Sequence, residues 1–382
     1  MTATLRDLRP VYVLGVGMHR YQFASDTPYI AMGLTALRAA LTDAGIEFPA
    51  IQSAWFGTTG LGMAAGRVMF RHIGSTGLAV QQVENASASG SFAFADACLE
   101  VASGRADISL AIGVDKYGDQ KRAVLKEGVD RLSDTAHVPL VKYALLCRTL
   151  KREKGLAAED LAGVAVKNHN NAATNPFAQF QKPRTLAQVM GATNVAGDLT
   201  SLQCTPRGEG AAAAIVVSED AMRAHGLDRS RAIRVASSTA GSETPPQGRE
   251  PGSVAAARDV ALRTYAEAGI APADLDVVEL HDAFSIEELL YTEAFGLCPQ
   301  GEGHHYLREG RSAVGGDCAI NSSGGLIAQG HPLGPTGIGQ VHEIVRQLRG
   351  ENGPRQQPGA AIGMAHMIGL GSVAIAHILR RE

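Results

Sequence analysis

Apolar residues are spaced along the first third of the chain in an order typical of strands joined through helices. Val11 to Val16 is a β-rich run, and Pro28 to Ala44 after it has the spacing of an amphipathic helix. Ser53 to Thr58 is predicted as a strand, Ser89 to Ser103 as a helix, and Ile108 to Val114 as a buried strand. This alternation predicts an α/β protein.

The last third of the chain repeats the same plan. Ser253 to Ala268 is predicted as a helix, and a loop opened by Gly330 leads into another helix that ends near Leu348. A glycine-rich turn therefore feeds a helix and then a terminal strand in both halves, which indicates a long-range duplication and not a short-period repeat. The strands predicted in this part are Val277 to Leu280, Ala360 to Ala365 and Ser372 to Leu379.

Two segments interrupt the duplicated plan. Residues 117–200 are richer in Lys, Arg, Asn and Gln and lack a strong strand pattern, so we predict an insertion lying over the site. Gly241 to Pro251, with its Pro, Gly and Ser, is predicted as a connector. The predicted domains are an N-terminal half of residues 1–252, which carries the insertion, and a C-terminal half of residues 253–382.

Composition is consistent with two packed domains and limits the possible partners. The chain has 382 residues, 45% of them hydrophobic, and 44 glycines that suit close helix–sheet packing. The net charge of −3 gives no general attraction to nucleic acid. No apolar run reaches the roughly 18 residues of a membrane span, and the first residues lack the apolar segment of a secretory signal.

The cysteines point to a reducing compartment. Their number is odd, their spacing is wide, and no Cys-x-x-Cys pair is present, so neither a zinc site nor a disulfide framework is indicated. We therefore expect a cytoplasmic protein without a bound metal. The five residues are Cys98, Cys147, Cys204, Cys298 and Cys318.

The segment Val83 to Ser91 is the first of four that could carry chemistry. Its small residues form a strand-to-helix turn that puts Ser87 at a helix N-terminus, where backbone N–H groups favour developing negative charge. An isolated serine in this position is more often a helix N-cap. The other three segments favour a catalytic role for Ser87.

Histidines stand in the second and third segments. His281 lies in Glu279 to Phe284, between a strand and a helix, where it can bind a thioester oxygen or serve a structural role. His331 lies between two glycine clusters, Asn321 to Gly325 and Gly330 to Gly337. Packing alone does not explain these glycines, so His331 is predicted to act as a base or to hold a carbonyl oxygen.

The fourth segment, Ala365 to Gly371, separates the last two predicted strands and is predicted as a tight hairpin. Its histidine, His366, is either a core residue or part of the site, and the neighbouring glycines favour the site.

Taken together, these segments resemble the thiolase family, particularly the sterol-carrier-protein type and its bacterial, acetyl-CoA acetyltransferase-like relatives. The Gly-His-Pro-Leu-Gly-x-Thr-Gly run from Gly330 to Gly337 is the most specific signal, and the His-Asp-Ala-Phe run from His281 to Phe284 points to the subgroup. The resemblance covers nearly the whole chain. It implies a duplicated five-layer αβαβα fold in which the inserted loop domain usually holds coenzyme A.

The resemblance also assigns roles to single residues. Ser87 falls on the nucleophilic cysteine, His331 on the histidine that activates it, and His281 on an oxyanion-hole position. Met367 and Ala283 fall at or near positions where relatives carry a second, acid/base cysteine, so His366 is the remaining nearby candidate for proton transfer. Coenzyme A is expected as substrate or acyl carrier, with Ser323, Gly324 and Gly325 as predicted contacts.

Serine at position 87 leaves three functions open. A serine hydroxyl is a far weaker nucleophile than a cysteine thiolate unless a base removes its proton. The first hypothesis is a thiolase-type acyltransferase acting on a 3-oxoacyl-CoA, with Ser87 at the position of the nucleophilic cysteine, either as the native residue or as an engineered replacement. The second is a retro-aldolase that cleaves a 3-hydroxyacyl-CoA without an acyl-enzyme. The third is a non-catalytic subunit that binds coenzyme A, against which the retained histidines argue.

The resemblance implies partners as well as a substrate. Thiolases form dimers or dimers of dimers, usually through a strand next to the nucleophile segment, and we expect twofold symmetry. Ile108 to Val114 and Leu78 to Val83 are the predicted contact surfaces. Bacterial relatives with the His-Asp-Ala-Phe form often work with a small partner that bears an OB-fold and a zinc ribbon, and this chain has no zinc ligands of its own.

Overall fold

The computed structural model describes residues 4–117, 138–245, 251–370 and 373–382. Four predicted segments fall partly outside these ranges: the start of the insertion at residues 118–137, the connector at 246–250, the end of the fourth segment at Gly371, and the start of the last predicted strand at Ser372. None of the described helices is long and apolar enough to cross a membrane.

Twelve strands are present in the described part of the chain, and most of them belong to one large sheet. The strands are β1 (Val11–Gln22), β2 (Ser53–Gly57), β3 (Ala79–Val83), β4 (Ile108–Asp115), β5 (Asn194–Ala196), β6 (Leu199–Thr200), β7 (Glu209–Ser218), β8 (Ile233–Ser242), β9 (Val277–Glu279), β10 (Ala319–Ile320), β11 (Ile362–Gly369) and β12 (Val373–Arg380). The helices are α1 (Tyr29–Ala44), α2 (Ala65–Phe70), α3 (Ser89–Ala102), α4 (Val138–Lys154), α5 (Ala158–Ala172), α6 (Leu186–Met190), α7 (Glu219–Ala224), α8 (Gly252–Ala268), α9 (Ser285–Ala294), α10 (Gly303–Arg308), α11 (Gly325–Ala328) and α12 (Leu333–Arg349).

The strand order shows the duplication directly. The sheet runs β3-β2-β4-β7-β1 in the first half and β10-β9-β11-β12-β8 in the second, which is the same order of the five strands within each half. The pairing also matches, because the three strands farthest from the junction are parallel and the other pairings are antiparallel. The halves join where β1 pairs with β8, at Tyr12–Arg234 and Val13–Ile233.

Side chains alternate between two faces of each sheet, and this alternation builds the layers. In β1, Tyr12 and Leu14 pack outward in a cluster with α1, whereas Val11 and Val13 pack inward in a cluster that includes residues of α3 and α12. Helix α8 covers the outer face of the second half. The succession of α1, sheet, α3 with α12, sheet and α8 confirms the predicted five-layer thiolase fold.

Two strands that position this core were not predicted. The alanine-rich β7 is completely buried between β1 and β4, and alanine has a low strand propensity, so only the tertiary context makes it a strand. Strand β8 opens the second repeat and precedes the predicted boundary between residues 252 and 253. That boundary stays a prediction.

The described part of the insertion is mainly helical, a structure that was not predicted from the sequence. It contains α4, α5, α6 and the short β5–β6 hairpin. Helix α5 contacts α9 and α11 of the second half, and Lys167 on α5 pairs with Glu288 on α9 at 3.0 Å. The insertion is therefore fixed against the helices that follow the His281 and Gly324 segments.

The structure corrects the prediction of a tight hairpin for the fourth segment. Residues 365–369 continue β11 and pair with β12, Ala365 opposite His377 and Gly369 opposite Val373. They therefore lie in a strand, and the turn begins only after Gly369. The side chain of His366 therefore points to one face of the sheet, as in any strand, and does not lie in a turn.

One of the two predicted dimer surfaces is also wrong. Strand β4 lies between β2 and β7 and is buried along its whole length, so Ile108 to Val114 cannot contact another subunit. Strand β3, in contrast, is the end strand of the sheet, and three of its five residues are exposed. An edge strand of this kind presents unpaired backbone groups to a partner.

Candidate active site

Ser87 lies in a strained turn immediately before the central helix α3. Ala86 has a positive φ of 49°, which is uncommon for a residue with a side chain. The turn is held by Ser89, whose Oγ accepts from the Asn85 N–H at 2.8 Å and donates to the Ala86 carbonyl at 2.6 Å. Because the N-cap of α3 is Ala88, Ser87 is not the cap, and its partly exposed side chain is free to face the site.

Ser87 and His331 form a hydrogen-bonded pair across the two halves. Ser87 Oγ lies 3.1 Å from His331 Nε2, and His331 Nδ1 lies 2.9 Å from Thr336 Oγ1. The Thr336 hydroxyl donates to the Pro332 carbonyl at 2.6 Å, so its oxygen can only accept from His331 Nδ1–H. In the neutral ring this leaves the lone pair on Nε2, where it can accept the Ser87 proton.

Glycines let the two helices that carry this pair approach each other closely. A Cβ on Gly90 in α3 would lie 2.4 Å from the Gly334 carbonyl oxygen, and one on Gly337 in α12 would lie 2.0 Å from Ser91 Oγ. Larger residues at either position would force the helices apart. The glycines of the Gly330–Gly337 run are therefore required for the distance between Ser87 and His331.

Asp115, at the end of β4, is a functional residue that the sequence reading missed. Its buried carboxylate accepts hydrogen bonds from the Thr58 hydroxyl at 2.7 Å, the Gly60 N–H at 2.9 Å, and the Gly334 N–H at 2.6 Å. It thus ties the first half to the loop that carries His331. An acidic residue ending a buried apolar strand was the signal that could have identified it.

His281 is brought to the same place. Its ring and that of His331 have centroids 5.4 Å apart in an edge-to-face arrangement, and both residues are 7% exposed. Its Nδ1 is buried, has no hydrogen-bond partner within the part of the chain that the structure describes, and lies 3.6 Å from Oε1 of Glu287. The neighbouring Asp282 is not a helix cap: it accepts from the Leu326 N–H at 2.6 Å and from the Asn168 amide at 2.8 Å.

The loop with the three predicted coenzyme A contacts lies above a buried carboxylate. Glu279 accepts hydrogen bonds from the Ser323 N–H at 2.9 Å and from its hydroxyl at 2.5 Å. Gly324 packs on Ala172 and Gly325 on Asp282 so closely that a Cβ would approach within 2.5 and 2.3 Å. The side chain of Ser323 is therefore directed into the protein, and a coenzyme A contact at these positions stays a prediction.

Two carboxylates share the interior beneath that loop. The Ser322 hydroxyl lies 3.0 Å from both Glu279 and Glu343, and Arg355 pairs with Glu343. Complete burial, together with the charge of Glu343, raises the pKa of Glu279 to about 7. Glu279 consequently holds a proton under conditions in which an exposed glutamate is ionised.

His366 is the predicted site residue that the structure does not bring into contact with the pair. Its ring packs edge-to-face on Tyr291 at 5.0 Å and Phe295 at 4.9 Å, and neither nitrogen has a hydrogen-bond partner among the described residues. Burial lowers the pKa of His366 well below its ordinary value, and the neighbouring His281 and His377 lower it further. Its catalytic role stays a prediction.

Met367, on the other face of β11, points towards the nucleophile turn. It packs in a small apolar cluster with Ala88 and Ile375. Its thioether has no exchangeable proton. Ala283 likewise has none, so the described residues around Ser87 offer His331 and His281 as groups able to move a proton.

The pair Ser87–His331, at the N-terminus of a buried helix and beside a second histidine, is suited to acyl transfer. The base can remove the hydroxyl proton as the oxygen attacks a carbonyl. The helix N-terminus and the His281 ring lie where negative charge would develop.

Comparisons with known proteins agree with this geometry. Residues 16–198 match the family description "Thiolase, N-terminal domain", and residues 242–381 match "Thiolase C-terminal domain-like". The chain therefore belongs to the thiolase family. It is an enzyme of the acyltransferase class found in that family, whose members use coenzyme A.

Several curated proteins align along nearly the whole chain. Sterol carrier protein 2 of Oryctolagus cuniculus is 34% identical, and the alignment covers 100% of this chain and 74% of the relative. Acetyl-CoA acetyltransferase of Methanothermobacter thermautotrophicus is 36% identical, with 98% and 100% covered. Benzoylsuccinyl-CoA thiolase subunit BbsB of Thauera aromatica is 35% identical, with 95% of each covered.

Solved structures share the fold. The Ltp2-ChsH2(DUF35) aldolase has a TM-score of 0.80 at 23% identity, covering 97% of this chain and 98% of that one. Human mitochondrial 3-ketoacyl-CoA thiolase in complex with CoA has a TM-score of 0.74 at 20% identity, with both chains fully covered. At these identities the likeness extends to the fold alone.

Proposed function

We propose that this protein makes or cleaves the C–C bond of a 3-oxoacyl-CoA, with Ser87 at the position that receives the acyl group. The observation that carries the proposal is the 3.1 Å contact between Ser87 Oγ and His331 Nε2, with Nδ1 of the same ring held by Thr336. This arrangement provides what a serine hydroxyl needs to act as a nucleophile, namely an adjacent base in a fixed tautomer.

In the cleavage direction, His331 takes the Ser87 proton while Ser87 Oγ bonds to the 3-oxo carbon. The bond between C2 and C3 then breaks, C2 receives a proton, and acetyl-CoA or a related acyl-CoA leaves. The thiol of a second coenzyme A attacks the ester on Ser87 and returns the oxygen to its hydroxyl form. The oxygen that becomes negative in the attack is expected to accept from His281 and from the N-terminus of α3.

Substitutions at Ser87 test the proposal. A cysteine at this helix N-terminus beside His331 is expected to form a reactive thiolate, so Ser87→Cys should show faster CoA-dependent cleavage of a 3-oxoacyl-CoA and alkylation by iodoacetamide at residue 87. Ser87→Ala should abolish cleavage. Product masses provide the measurement, because two thioesters are the signature of thiolysis. A Ser87→Cys variant without thiolysis across a panel of acyl-CoA substrates would contradict the proposal.

A retro-aldolase acting on a 3-hydroxyacyl-CoA is a second candidate. The observation that favours it is the absence of a thiol at Ser87, Met367 and Ala283, because aldol cleavage needs a base and an oxyanion site but no acyl-enzyme. In that case the enzyme as it stands should release an aldehyde or ketone without added coenzyme A. Ser87→Ala should then retain much of the rate.

The same site argues against a non-catalytic coenzyme A-binding subunit, because selection for binding alone does not require a Ser87–His331 hydrogen bond.

An additional protein partner is still part of the proposal. One similar structure carries a name with two components, Ltp2-ChsH2(DUF35), and one relative is named a subunit. We propose a twofold dimer that pairs through β3, and a small separate partner with an OB-fold and zinc ribbon. Co-expression followed by light scattering tests both.

A further inference from the structure

A buried carboxylate lies beside the ring of His281. Glu287, in the first turn of α9, is 1% exposed, and its Oε1 lies 3.6 Å from His281 Nδ1. That distance is too long for a hydrogen bond, yet Nδ1 is buried and has no other partner among the described residues. Hydrogen bonds of catalytic groups are often long without substrate and tighten when it binds.

Glu287 is itself held rigidly. Its Oε1 accepts from the hydroxyls of Tyr143 at 2.6 Å and Tyr291 at 3.0 Å, and its Oε2 accepts from the Phe284 N–H at 3.1 Å. Burial, together with the charge of Glu287, raises the pKa of both tyrosines well above the usual value, so their hydroxyls remain donors. Tyr143 belongs to α4 of the insertion, so the carboxylate is fixed by both the insertion and the second half.

The position of the carboxylate matters because the site otherwise has too few groups that move protons. Cleavage of a 3-oxoacyl-CoA requires one group to take the Ser87 proton and another to protonate C2. His331 supplies the first, and Met367 and Ala283 cannot supply the second. The ring of His281 lies edge-to-face beside that of His331, with the ring centroids 5.4 Å apart.

We propose that Glu287 is a positioning residue which directs Nδ1 of His281 to its carboxylate and Nε2 to the Ser87–His331 pair, making His281 the second proton carrier. This inference rests on the proposed function. In the resting enzyme the His281 ring is the imidazolium, and Nδ1 keeps its proton against Glu287 throughout. Nε2 gives a proton to C2 when the C2–C3 bond breaks and takes one back from the thiol of the attacking coenzyme A, while His331 returns its own proton to Ser87.

The charged and titratable groups that face His281 come from several elements. Glu287 and Tyr291 lie on α9, Tyr143 on α4, His331 before α12, and His366 on β11. Of these, Glu287 is the one that presents an acceptor towards the buried ring nitrogen. Both tyrosine hydroxyls donate to the same oxygen of Glu287 that lies 3.6 Å from His281 Nδ1.

Nitrogen-15 NMR of the histidine rings tests the assignment without turnover. The His281 signals are identified by their loss in His281→Asn. In the parent enzyme, Nδ1 should carry a proton. The amide of Glu287→Gln has one acceptor oxygen, so it cannot accept in place of both Oε1 and Oε2. In this variant the His281 ring should shift towards the Nε2–H tautomer. A parent enzyme with a bare Nδ1 at His281 would overturn the proposal, whether or not Glu287→Gln folds.

Kinetics supply the second measurement. Glu287→Gln should lower kcat roughly 100-fold with little change in KM, less than the ~10⁴-fold loss seen when an amide replaces the carboxylate behind a serine-protease histidine. Glu287→Asp should restore part of the rate. The matched control is Glu293→Gln on the same helix, whose carboxylate accepts from the Gly303 N–H at 2.9 Å and which should behave as the parent. Equal kcat in Glu287→Gln and Glu293→Gln would refute the role of Glu287.

The two proposals fail in different ways. A parent enzyme that cleaves neither a 3-oxoacyl-CoA nor a 3-hydroxyacyl-CoA contradicts the proposed function, and the NMR tautomer still decides the assignment of Glu287. A parent enzyme that is active but insensitive to Glu287→Gln contradicts only the positioning role.

Discussion

The carboxylate of Asp115 accepts a hydrogen bond from the backbone N–H of Gly334 at 2.6 Å. This bond joins the last residue of β4, in the first half, to the first turn of α12, in the second half. His331 lies three residues before Gly334. The position of the proposed base is therefore set by a residue from the opposite half of the protein. The following experiments test this relationship and others in the site.

Asp115→Asn should weaken both folding and catalysis. Asparagine has a single acceptor oxygen, whereas Asp115 uses both oxygens for donors on Thr58, Thr59, Gly60 and Gly334. Leaving buried donors unpaired costs about 1–3 kcal/mol. Urea unfolding measures that loss, and turnover should fall with it. Asp220→Asn on the surface is the control, and equal stability of the two variants would contradict the linking role.

Thr336→Val should slow turnover while leaving the substrate contacts in place. The variant removes the acceptor for His331 Nδ1–H, so the ring is no longer held in the tautomer that frees Nε2. Losing one hydrogen bond of about 1.4 kcal/mol corresponds to roughly a tenfold lower kcat. Thr336→Ser keeps the hydroxyl and should retain most of the rate. An unchanged kcat in Thr336→Val would remove the tautomer argument.

His366→Phe separates a structural from a catalytic role for this histidine. Because the pKa of His366 is lowered in the folded protein, the unfolded chain binds its proton first, and the fold loses stability as the pH falls below about 6.5. Phenylalanine cannot be protonated, so the stability of the variant relative to the parent should rise as the pH falls below about 6.5 and should not depend on this group above it. We expect turnover to be retained, since the ring packs between Tyr291 and Phe295. Loss of activity in a folded variant would instead support proton transfer by His366.

Glu279→Gln should change how stability depends on pH. The folded protein holds the Glu279 proton up to about pH 7, whereas the ordinary value is 4.5. The contribution of this group to the free energy of unfolding is therefore complete below about pH 4.5 and is lost as the pH rises through about 7. The stability of the parent relative to the variant should fall across that window and level off above it. A flat difference between pH 4.5 and 7 would show that the carboxyl titrates normally.

Gln81→Lys tests the proposed dimer. Gln81 is exposed on the edge strand β3, and twofold pairing of that strand would bring the new charges together. Lysine on an edge disfavours strand pairing, so light scattering should show a shift towards monomer. Gln300→Lys on a distant exposed surface is the control. A parent that is monomeric at micromolar concentration would rule out the dimer before any variant is made.

The sequence by itself determined the fold class, the duplication and most of the residues at the site. The continuous apolar run of β1 results from burial on both faces and the amphipathic spacing of α1 from burial on one, and both leave a local trace in the order of residues. The glycines around His331 were informative for the same reason, because only close backbone approach requires them. The resemblance carried by the four segments assigned Ser87 and His331 to one site although 244 positions separate them.

Tertiary structure decided the features whose partners come from distant segments. The alanine-rich β7 is a strand because β1 and β4 pair with it on both sides. Strand β4 likewise lies between two strands, β2 and β7, and its burial there excludes it as a dimer surface. Asp115 and Glu287 carry no motif, since a buried carboxylate is identified by the donors that converge on it. His366 shows the converse: its local glycines suggested a site, but the side chain of a strand residue points to one face only, and that face meets Tyr291 and Phe295.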